Sequence, residues 1–409
     1  QADLSETIYV KLPEGAEQFD KDGRPLVMKL KKSLYGLKQS PHNWNAKLVA
    51  WLILEGFEQS TVDTSVFIYN KNGVYCVLCT YVDDVPLGCN NLNFVEHLVT
   101  RMKANDFVVG EMESLHWLLQ MEVTKPDSDT ICINQAKYID DCLVRYNLSD
   151  SNMKASAFPL QASFQITKGE RPAEGTPAFE ELIALPYAQL VGSLMWIQRG
   201  TRPDITHAVS VLSQYNTCYT MEHWKALRGV LKYLASTKHH GLVFKKQQTG
   251  TLKLVAYSDS DWGSDMTDRK SQSGGLFFFG ECLIDWYSHK QRFLSLSSTE
   301  SEFYALCKAG RQIIFLKTIL EFLGHKQNTV VLYGDNQGSL RLAENPVSSE
   351  KTRHIRELFI RDLVRDKEVK VRKIATAVNP AHVMASKVYT DSAAFYKLRE
   401  LLIELITKI

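Results

Sequence analysis

The 409-residue sequence contains no long apolar run, and none approaches the ~20 residues that cross a bilayer as a helix. Its first residues, Gln1 to Leu4, lack the basic and apolar regions of a signal peptide. Both absences argue against a membrane protein and predict a soluble chain. The sequence also has no initial Met and begins in mid-pattern, which indicates a fragment of a longer protein.

An excess of charge of one sign is also missing, because 48 Lys and Arg face 46 Asp and Glu, for a net charge of +2. A polyanionic partner must therefore be bound by local basic patches rather than by a global field. The eight cysteines have neither zinc-finger nor zinc-knuckle spacing, and Cys76 and Cys79 lie in an apolar strand with side chains on opposite faces. We expect reduced, buried thiols in an intracellular protein.

The sequence does contain two sets of acidic residues in predicted strands or at their ends. Asp83 and Asp84 are adjacent, whereas Asp259, Glu302 and Asp335 are far apart along the chain. Clustered carboxylates repel one another, so holding them together requires a divalent cation or a proton. The two sets predict two metal-dependent reactions on phosphates.

The length predicts about three domains at ~150 residues each. Residues 64–88 contain β-branched and aromatic runs separated by Asn, Gly and Asp, which is typical of strands joined by hairpins, with Asp83 and Asp84 at a tight corner. Flanking helices are predicted over 43–55 and 94–105. Residues 1–125 are therefore predicted to form an α+β domain.

The next domain, over 126–250, alternates helical patterns with loops such as the polar segment 167–177. It shows no catalytic cluster, so we interpret it as a connecting and gripping element. Its helices are predicted over 187–198, 204–215 and 221–236.

The third domain, over 251–409, begins with strands predicted over 252–258, 275–279 and 283–287. A long helix is predicted over 299–323, ending at a Gly324 cap. Its apolar residues recur at spacings of three and four, so one face packs on the sheet.

That inward face includes Glu302, whereas Glu300 points about 200° away around the helix. A strand over 329–334 delivers Asp335, so Asp259, Glu302 and Asp335 can meet at one edge of a mixed sheet, where two Mg²⁺ ions can orient a water and stabilise the leaving oxygen of a phosphodiester. The order Asp, Glu, Asp argues against integrase-type nucleases, which end in Glu. Each acid alone is more often a solvated strand-end carboxylate, and only their combination favours a metal site.

Several sequence blocks, in order and over essentially the whole chain, resemble the Pol polyprotein of copia-type retrotransposons. The blocks are Leu34-Tyr35-Gly36-Leu37-Lys38-Gln39-Ser40-Pro41, Tyr81-Val82-Asp83-Asp84, Gly192-Ser193-Leu194-Met195, Thr201-Arg202-Pro203-Asp204-Ile205, Asp268-Arg269-Lys270-Ser271, Leu296-Ser297-Ser298-Thr299-Glu300-Ser301-Glu302 and Asp335-Asn336-Gln337. The resemblance implies an α+β and α/β multidomain protein: reverse transcriptase palm and thumb, a connection, and a ribonuclease H-like mixed sheet with flanking helices.

For the polymerase, the resemblance implies that Asp83 and Asp84 are the paired catalytic and metal-binding acids and that Tyr81 lies beneath the primer end. The segment with Gly36, Ser40 and Pro41 resembles the floor under the incoming nucleotide and template, where a missing Cβ allows close approach. The same string is also typical of an ordinary helix start.

For the nuclease, Asp259, Glu302 and Asp335 resemble three of the four ribonuclease H acids. The resemblance implies two Mg²⁺ or Mn²⁺ ions in each active site. It implies an RNA/DNA hybrid, a primer-template and dNTPs as partners, no membrane, and a location in a cytoplasmic virus-like particle and in the nucleus.

The sequence departs from the family in the polymerase acids. A third metal-binding Asp is expected on a strand just before the segment that here occupies 3–9, at the very start of the chain. Two-metal nucleotidyl transfer without a bridging carboxylate loses most of its rate, so we expect this chain to lack polymerase activity.

The nuclease acids also depart from the family. The fourth acid is expected near Asn379-Pro380-Ala381, but the sequence has His382 there, and Asp391 is the nearest replacement. The segment 352–356 is shortened and lacks the Asp that usually follows His-Ile.

A basic region lies between Lys351 and Lys373, with nine Lys or Arg against four Asp or Glu. A helix is predicted over 352–366 with Arg361 and Arg365 one turn apart, which suits a surface that holds a duplex by its phosphates and reads A-like shape. A solvated helix face explains the same pattern. The two functional hypotheses are a truncated reverse transcriptase with ribonuclease H that retains at most hybrid cleavage, and a catalytically inactive nucleic-acid-binding remnant.

Overall fold

The computed structural model describes residues 4, 6–34, 36–148, 156–161, 164, 167–247, 252–345, 359–386 and 392–405. In those ranges, no helix has the length and apolar character needed to cross a bilayer. The chain folds into two compact units, Gln1–Leu115 with Phe322–Gly324, and His116–Glu321 with His325–Ile409.

The first unit is a small antiparallel sheet with two helices. Its elements are β1 (Tyr9–Lys11), β2 (Val27–Lys29), α1 (Ser40–Leu54), β3 (Glu58–Gln59), β4 (Val66–Lys71), β5 (Val74–Cys79), β6 (Leu87–Cys89) and α2 (Leu92–Ala104). β1 pairs with β2, and the four-stranded sheet has the order β3-β4-β5-β6. Leu52 of α1 and Leu98 of α2 pack with Phe67 and Leu78 in one core. The hairpins and both helices follow the sequence prediction, although α1 begins earlier because Pro41 fits the first helical turn.

The second unit begins with strands and a bundle of helices. These elements are β7 (Trp117–Leu118), β8 (Met121–Asp127), β9 (Thr130–Asn134), α3 (Ala136–Arg145), α4 (Pro177–Ile183), α5 (Tyr187–Gly200), α6 (Thr206–Ser213), α7 (Met221–Ser236) and β10 (His240–Lys245). The sequence analysis predicted only helices and loops in 126–250, so it missed β9 and β10, which pair antiparallel with each other. Both strands are short. β9 also pairs with β8 across a short turn, whereas β10 pairs with β9 from about a hundred residues away, a partner that local periodicity does not reveal.

The remainder of the second unit is a five-stranded mixed sheet with flanking helices. It contains β11 (Leu254–Asp261), β12 (Gln272–Phe279), β13 (Cys282–Lys290), α8 (Ser298–Phe322), β14 (Val330–Gly334), α9 (Gln337–Glu344), α10 (Phe359–Arg365), β15 (Val369–Lys373), α11 (His382–Ala385), α12 (Ser392–Leu402) and β16 (Glu404–Leu405). The sheet order is β13-β12-β11-β14-β15, and a second sheet has the order β16-β10-β9-β8-β7.

The long helix α8 packs on the mixed sheet as the sequence predicts. Leu306, Ala309 and Ile313 are fully buried in one cluster with Ala256 of β11 and Leu332 of β14. Gly324, which follows the helix, has φ +82°, the left-handed conformation expected of a glycine cap. All eight cysteines are free thiols, but only four are buried and the other four are partly exposed, whereas buried thiols were expected from the sequence.

A buried ion pair joins the helices of the second unit. The predicted helix over 204–215 is instead a 3₁₀ turn, Pro203–Ile205, followed by α6. Arg202 donates to both carboxylate oxygens of Asp204, at 2.9 and 2.7 Å, and both side chains are fully buried. Arg202 also donates to the carbonyl of Thr237 at 2.8 Å, and the Tyr233 hydroxyl donates to Asp204 at 2.6 Å. The guanidinium of Arg202 and the carboxylate of Asp204 both have hydrogen-bond partners, so the ion pair is tolerated in the core.

We predict that Arg202→Met lowers the free energy of unfolding by about 3–5 kcal/mol, because it leaves the Asp204 carboxylate buried without its countercharge. Urea denaturation checks this, with Arg145→Ala, a change at an exposed residue of α3, expected to alter the stability by less than about 0.5 kcal/mol.

The same ion pair makes the stability depend on pH. Burial raises the pKa of Asp204, but Arg202 and the Tyr233 hydroxyl outweigh this effect, so the net pKa lies below the usual value. The stabilisation is therefore complete above about pH 4 and decreases as the pH falls further. A loss of stability in Arg202→Met equal to that of Arg145→Ala would contradict the prediction.

Candidate active site

Two neighbouring parallel strands carry the first two acids of the candidate site. β11 pairs with β14 in parallel, with Val255 opposite Val331 and Tyr257 opposite Tyr333. Those tyrosine rings stack at 5.1 Å between centroids. Continuing the same register places Asp259 opposite Asp335, and since side chains alternate along a strand, both acids lie on the tyrosine face.

The third acid comes from the second turn of α8. Glu302 is 6% exposed, and its carboxylate accepts a hydrogen bond from the backbone N–H of Ser260 at 3.0 Å. Ligand atoms of Asp259, Glu302 and Asp335 all lie within 4.8 Å of one another. These three residues form the acid centre. Within the described part of the chain, no other group of three or more His, Cys, Asp or Glu side chains converges in this way.

The acid centre is electrostatically strained without a cation. Burial raises the pKa of Glu302 well above its usual range, and the charges of Asp259 and Asp335 raise it further. Burial also raises the pKa of Asp335, the Asp259 charge adds to the effect, and a hydrogen bond with Thr376 partly opposes it. Three carboxylate oxygens in a compact, repelling set are the donors that Mg²⁺ and Mn²⁺ prefer, so the residues present fit such an ion.

His382 lies beside the acid centre, at the position where the sequence analysis expected a fourth acid. Its Nδ1 is 2.8 Å from the Asp259 carboxylate, and its Nε2 is 3.0 Å from the Ser386 hydroxyl. The hydrogen bond to Asp259 raises the pKa of His382, whereas burial opposes this. His382 therefore holds one oxygen of Asp259 in place.

Gly274, which brings His382 to the centre, was not predicted from the sequence. Gly274 lies opposite Asp259 on β12, and a Cβ there would come within 2.5 Å of Met384 on α11. Only glycine allows α11 to approach the strand this closely. The adjacent pair of glycines inside an apolar strand was the available signal. Ser260, whose backbone N–H orients Glu302, gave no sequence signal because a backbone donor is independent of the side chain.

The paired acids of the first unit are placed differently. Asp83 and Asp84 are exposed on the turn between β5 and β6, where Tyr81 and Asp84 exchange backbone hydrogen bonds at 2.9 Å. Val82 has φ +54°, a strained conformation for a β-branched residue. The Trp44 indole of α1 donates to the Val82 carbonyl at 2.7 Å and ties the turn to the helix.

Three predicted nucleotide-contacting residues lie at the start of α1. Gly36 has φ +100°, and Ser40 and Pro41 form the first helical turn, with the Ser40 hydroxyl donating to the Leu34 carbonyl at 2.6 Å. This geometry is that of the helix start which the sequence analysis kept as an alternative. A role in binding nucleotides stays a prediction, as does the role of the exposed Tyr81 ring.

The structure separates the two arginines predicted to bind phosphates. Arg361 is half-buried, donates to the Leu342 carbonyl at 2.8 Å and lies over the Phe303 ring at 5.5 Å, so its position does not support phosphate binding. Arg365 is exposed and pairs with Asp362 and Asp366 at 2.9 Å, and its role stays a prediction. The shortened segment 352–356 and Asp391 lie outside the described residues.

We predict that Mn²⁺ binding to the acid centre releases a number of protons per chain that increases as the pH falls, because the raised pKa favours the protonated form of Glu302 until a cation displaces the proton. Calorimetry in buffers of different ionisation enthalpy measures this number. Glu302→Gln has no proton to release at this position, so it should bind Mn²⁺ with weaker affinity and release fewer protons than the wild type. Undiminished proton release in Glu302→Gln would rule out Glu302 as its source.

The sequence is similar to reverse transcriptase and Pol polyprotein sequences in each of the sequence comparisons that follow. A model of the reverse transcriptase (RNA-dependent DNA polymerase) family matches residues 1–161. The retrovirus-related Pol polyprotein from transposon TNT 1-94 of Nicotiana tabacum is 34% identical over 94% of this chain and 29% of its own length. The corresponding polyprotein from transposon RE2 of Arabidopsis thaliana is 33% identical over 92% of this chain and 25% of its own length.

The chain thus spans less than a third of the length of these relatives. Among solved structures, the foamy viral protease-reverse transcriptase in complex with double-stranded DNA covers 92% of this chain and 58% of its own, with a TM-score of 0.47 and 14% identity. Residues 1–161 thus match the reverse transcriptase family, and nearly the whole sequence is homologous to the Pol polyproteins of copia-type retrotransposons.

Proposed function

We propose that the second unit of this chain cleaves the RNA strand of RNA/DNA hybrids, using divalent ions held by Asp259, Glu302 and Asp335. The observation that carries the proposal is the convergence of three carboxylates within 4.8 Å, two of them buried. Such a cluster has no structural purpose without a cation, since burial and mutual repulsion both oppose it. The ions are Mg²⁺ or Mn²⁺, two per active site, as the family resemblance implies.

When bound, the ions supply positive charge for the developing phosphate charge and lower the pKa of an attacking water. The fold of the chain fixes the positions of the three carboxylates. Asp259 lies on β11 and Asp335 directly follows β14, and these two strands pair in parallel. The Ser260 N–H holds the Glu302 carboxylate, and His382 restrains one oxygen of Asp259. Burial of Asp259 and Glu302 limits water around the carboxylates and strengthens their interaction with a cation.

For the first unit we propose descent from an RNA-directed DNA polymerase that uses a primer-template and dNTPs, without polymerase activity in this chain. Asp83 and Asp84 are the remaining acids of that reaction. Among the described residues, no third metal-ligating side chain converges on them. Two exposed carboxylates bind a divalent ion weakly, because both ions of nucleotidyl transfer need bridging ligands.

One observation favours a second candidate function, a nucleic-acid-binding remnant without catalysis. His382 contacts one oxygen of Asp259, a residue that would hold a divalent ion, and imidazole is a poorer ligand than carboxylate for Mg²⁺. In this alternative the chain binds the hybrid but leaves it intact.

We predict that the chain cleaves a labelled RNA/DNA hybrid in Mg²⁺ or Mn²⁺ and that Asp335→Asn lowers the rate by roughly 100-fold or more, since even partners of metal ligands are worth 10–100-fold. Gel analysis of the labelled RNA strand measures this. The matched control is Asp141→Asn, an exposed carboxylate on α3, which should cleave at the wild-type rate. Binding with no cleavage, and no difference between wild type and Asp335→Asn, would establish the remnant instead.

We also predict no primer extension on an oligo(dT)-primed poly(rA) template with dTTP and either ion, because Asp83 and Asp84 lack a converging third ligand among the described residues. Incorporation of labelled dTTP is the measurement, with Asp84→Asn as the background control. Incorporation above that background would overturn the prediction.

A further inference from the structure

The loop between β13 and α8 presents large apolar side chains to solvent. Phe293 is 65% exposed, Leu294 53% and Leu296 68%, and the nearby Trp262 at the end of β11 is 51% exposed. The Trp262 indole donates to the Ser295 carbonyl at 3.0 Å, so the tryptophan and the loop form one surface. We call Trp262 with residues 292–296 the apolar platform. Contiguous exposed apolar groups of this kind mark interaction sites.

Buried polar residues hold the platform in this conformation. The Gln291 amide donates to the Ser273 hydroxyl at 2.9 Å and to the Ser301 carbonyl at 2.8 Å, and the Ser295 hydroxyl donates to Gln291 at 2.9 Å. Gln291 and Ser295 are both buried. The small polar residues of the loop therefore point inward, and the apolar residues between them are forced outward.

Glu300 belongs to the same support. The sequence analysis expected it to point away from the sheet, whereas the structure buries it to 4% exposure and has it accept the Leu296 N–H at 2.6 Å. The buried hydrogen bonds of the loop therefore hold the platform residues in their exposed positions.

The platform lies directly beside the acid centre. Ser301, which accepts from Gln291, immediately precedes Glu302, and its hydroxyl accepts a hydrogen bond from the Ser260 hydroxyl at 2.9 Å. Trp262 follows Asp259 by three residues along β11 and its end. The platform and the acid centre are therefore joined through neighbouring residues of β11 and α8.

Cationic side chains adjoin the same loop. Burial, together with the positive charges of Arg292 and Arg311, lowers the pKa of Lys308 on α8 to about 8. The pKa of His289 is lowered by burial and then by Lys308 and Arg292. The Lys308 ammonium lies 4.7 Å from the centre of the Tyr287 ring. Cations that raise one another's energy in this way favour an anionic partner.

An apolar surface flanked by cations fits one occupant, the RNA/DNA hybrid. A-like duplexes expose sugars across a wide, shallow minor groove bordered by phosphates. We propose that the apolar platform packs against the sugars of the hybrid in this groove, while Arg292 and Lys308 contact its phosphates, so that these residues position the strand over the acid centre. The inference rests on the proposed cleavage function and names the surface that holds its substrate.

The experiment measures binding of a fluorescein-labelled hybrid by anisotropy in Mg²⁺, with the full chain carrying Asp335→Asn so that the hybrid stays intact. The double variant Phe293→Ala/Leu294→Ala should weaken binding about tenfold, as expected when two apolar contacts are lost. The matched control is Phe315→Ala. Phe315 is 41% exposed and lies on α8, about 20 Å along the helix axis from Glu302. This control variant should leave the Kd unchanged.

Two further measurements separate contact from a merely structural role. Lys308→Gln should lower the slope of log Kd against log salt by about 0.8, the value for one phosphate contact, whereas the double variant should leave the slope unchanged. In the chain with Asp335 intact, the double variant should raise KM about tenfold with kcat within about twofold, since only binding is affected.

Each result decides the proposal. An unchanged Kd in the double variant, or equal weakening by Phe315→Ala, overturns the role of the platform and leaves hybrid cleavage by the wild type standing. Such a result would indicate that the platform binds a protein instead. A wild-type chain that neither binds nor cleaves the hybrid overturns the proposed function itself together with the platform.

Discussion

Parallel pairing of β11 with β14 is the contact on which the acid centre depends. The register that stacks Tyr257 on Tyr333 also places Asp259 opposite Asp335. Backbone hydrogen bonds and the apolar packing of α8 hold the carboxylates together against repulsion that raises the pKa of Glu302 and Asp335. The free energy that holds the acids together thus comes from the fold around them, which is how a binding site for a cation is prepared in advance.

The two sets of acids differ in burial and in their hydrogen bonds. Asp259 and Glu302 are buried and hydrogen-bonded, so their oxygens have few alternative positions. Asp83 and Asp84 are exposed on a turn that is strained at Val82 and tied down by Trp44. The turn orients the backbone, yet water screens both carboxylates, and among the described residues no third ligand completes the set.

Packing determines what His382 contacts at the position where an acid was expected. The His382 side chain reaches Asp259 only because Gly274 lets α11 approach β12 without a Cβ between them. The same close packing therefore fixes the position of the imidazole beside Asp259.

The sequence by itself determined the elements whose causes are local. The period of apolar residues predicted α8 and the inward direction of Glu302, turn residues predicted the hairpin at Asp83, and specific blocks of residues predicted the family. Tertiary structure alone decided the pairing of β9 with β10, the burial of Glu300, the half-buried position of Arg361 and the close approach at Gly274. Each of these depends on a partner distant in sequence, and neither periodicity nor propensity contains the identity of that partner.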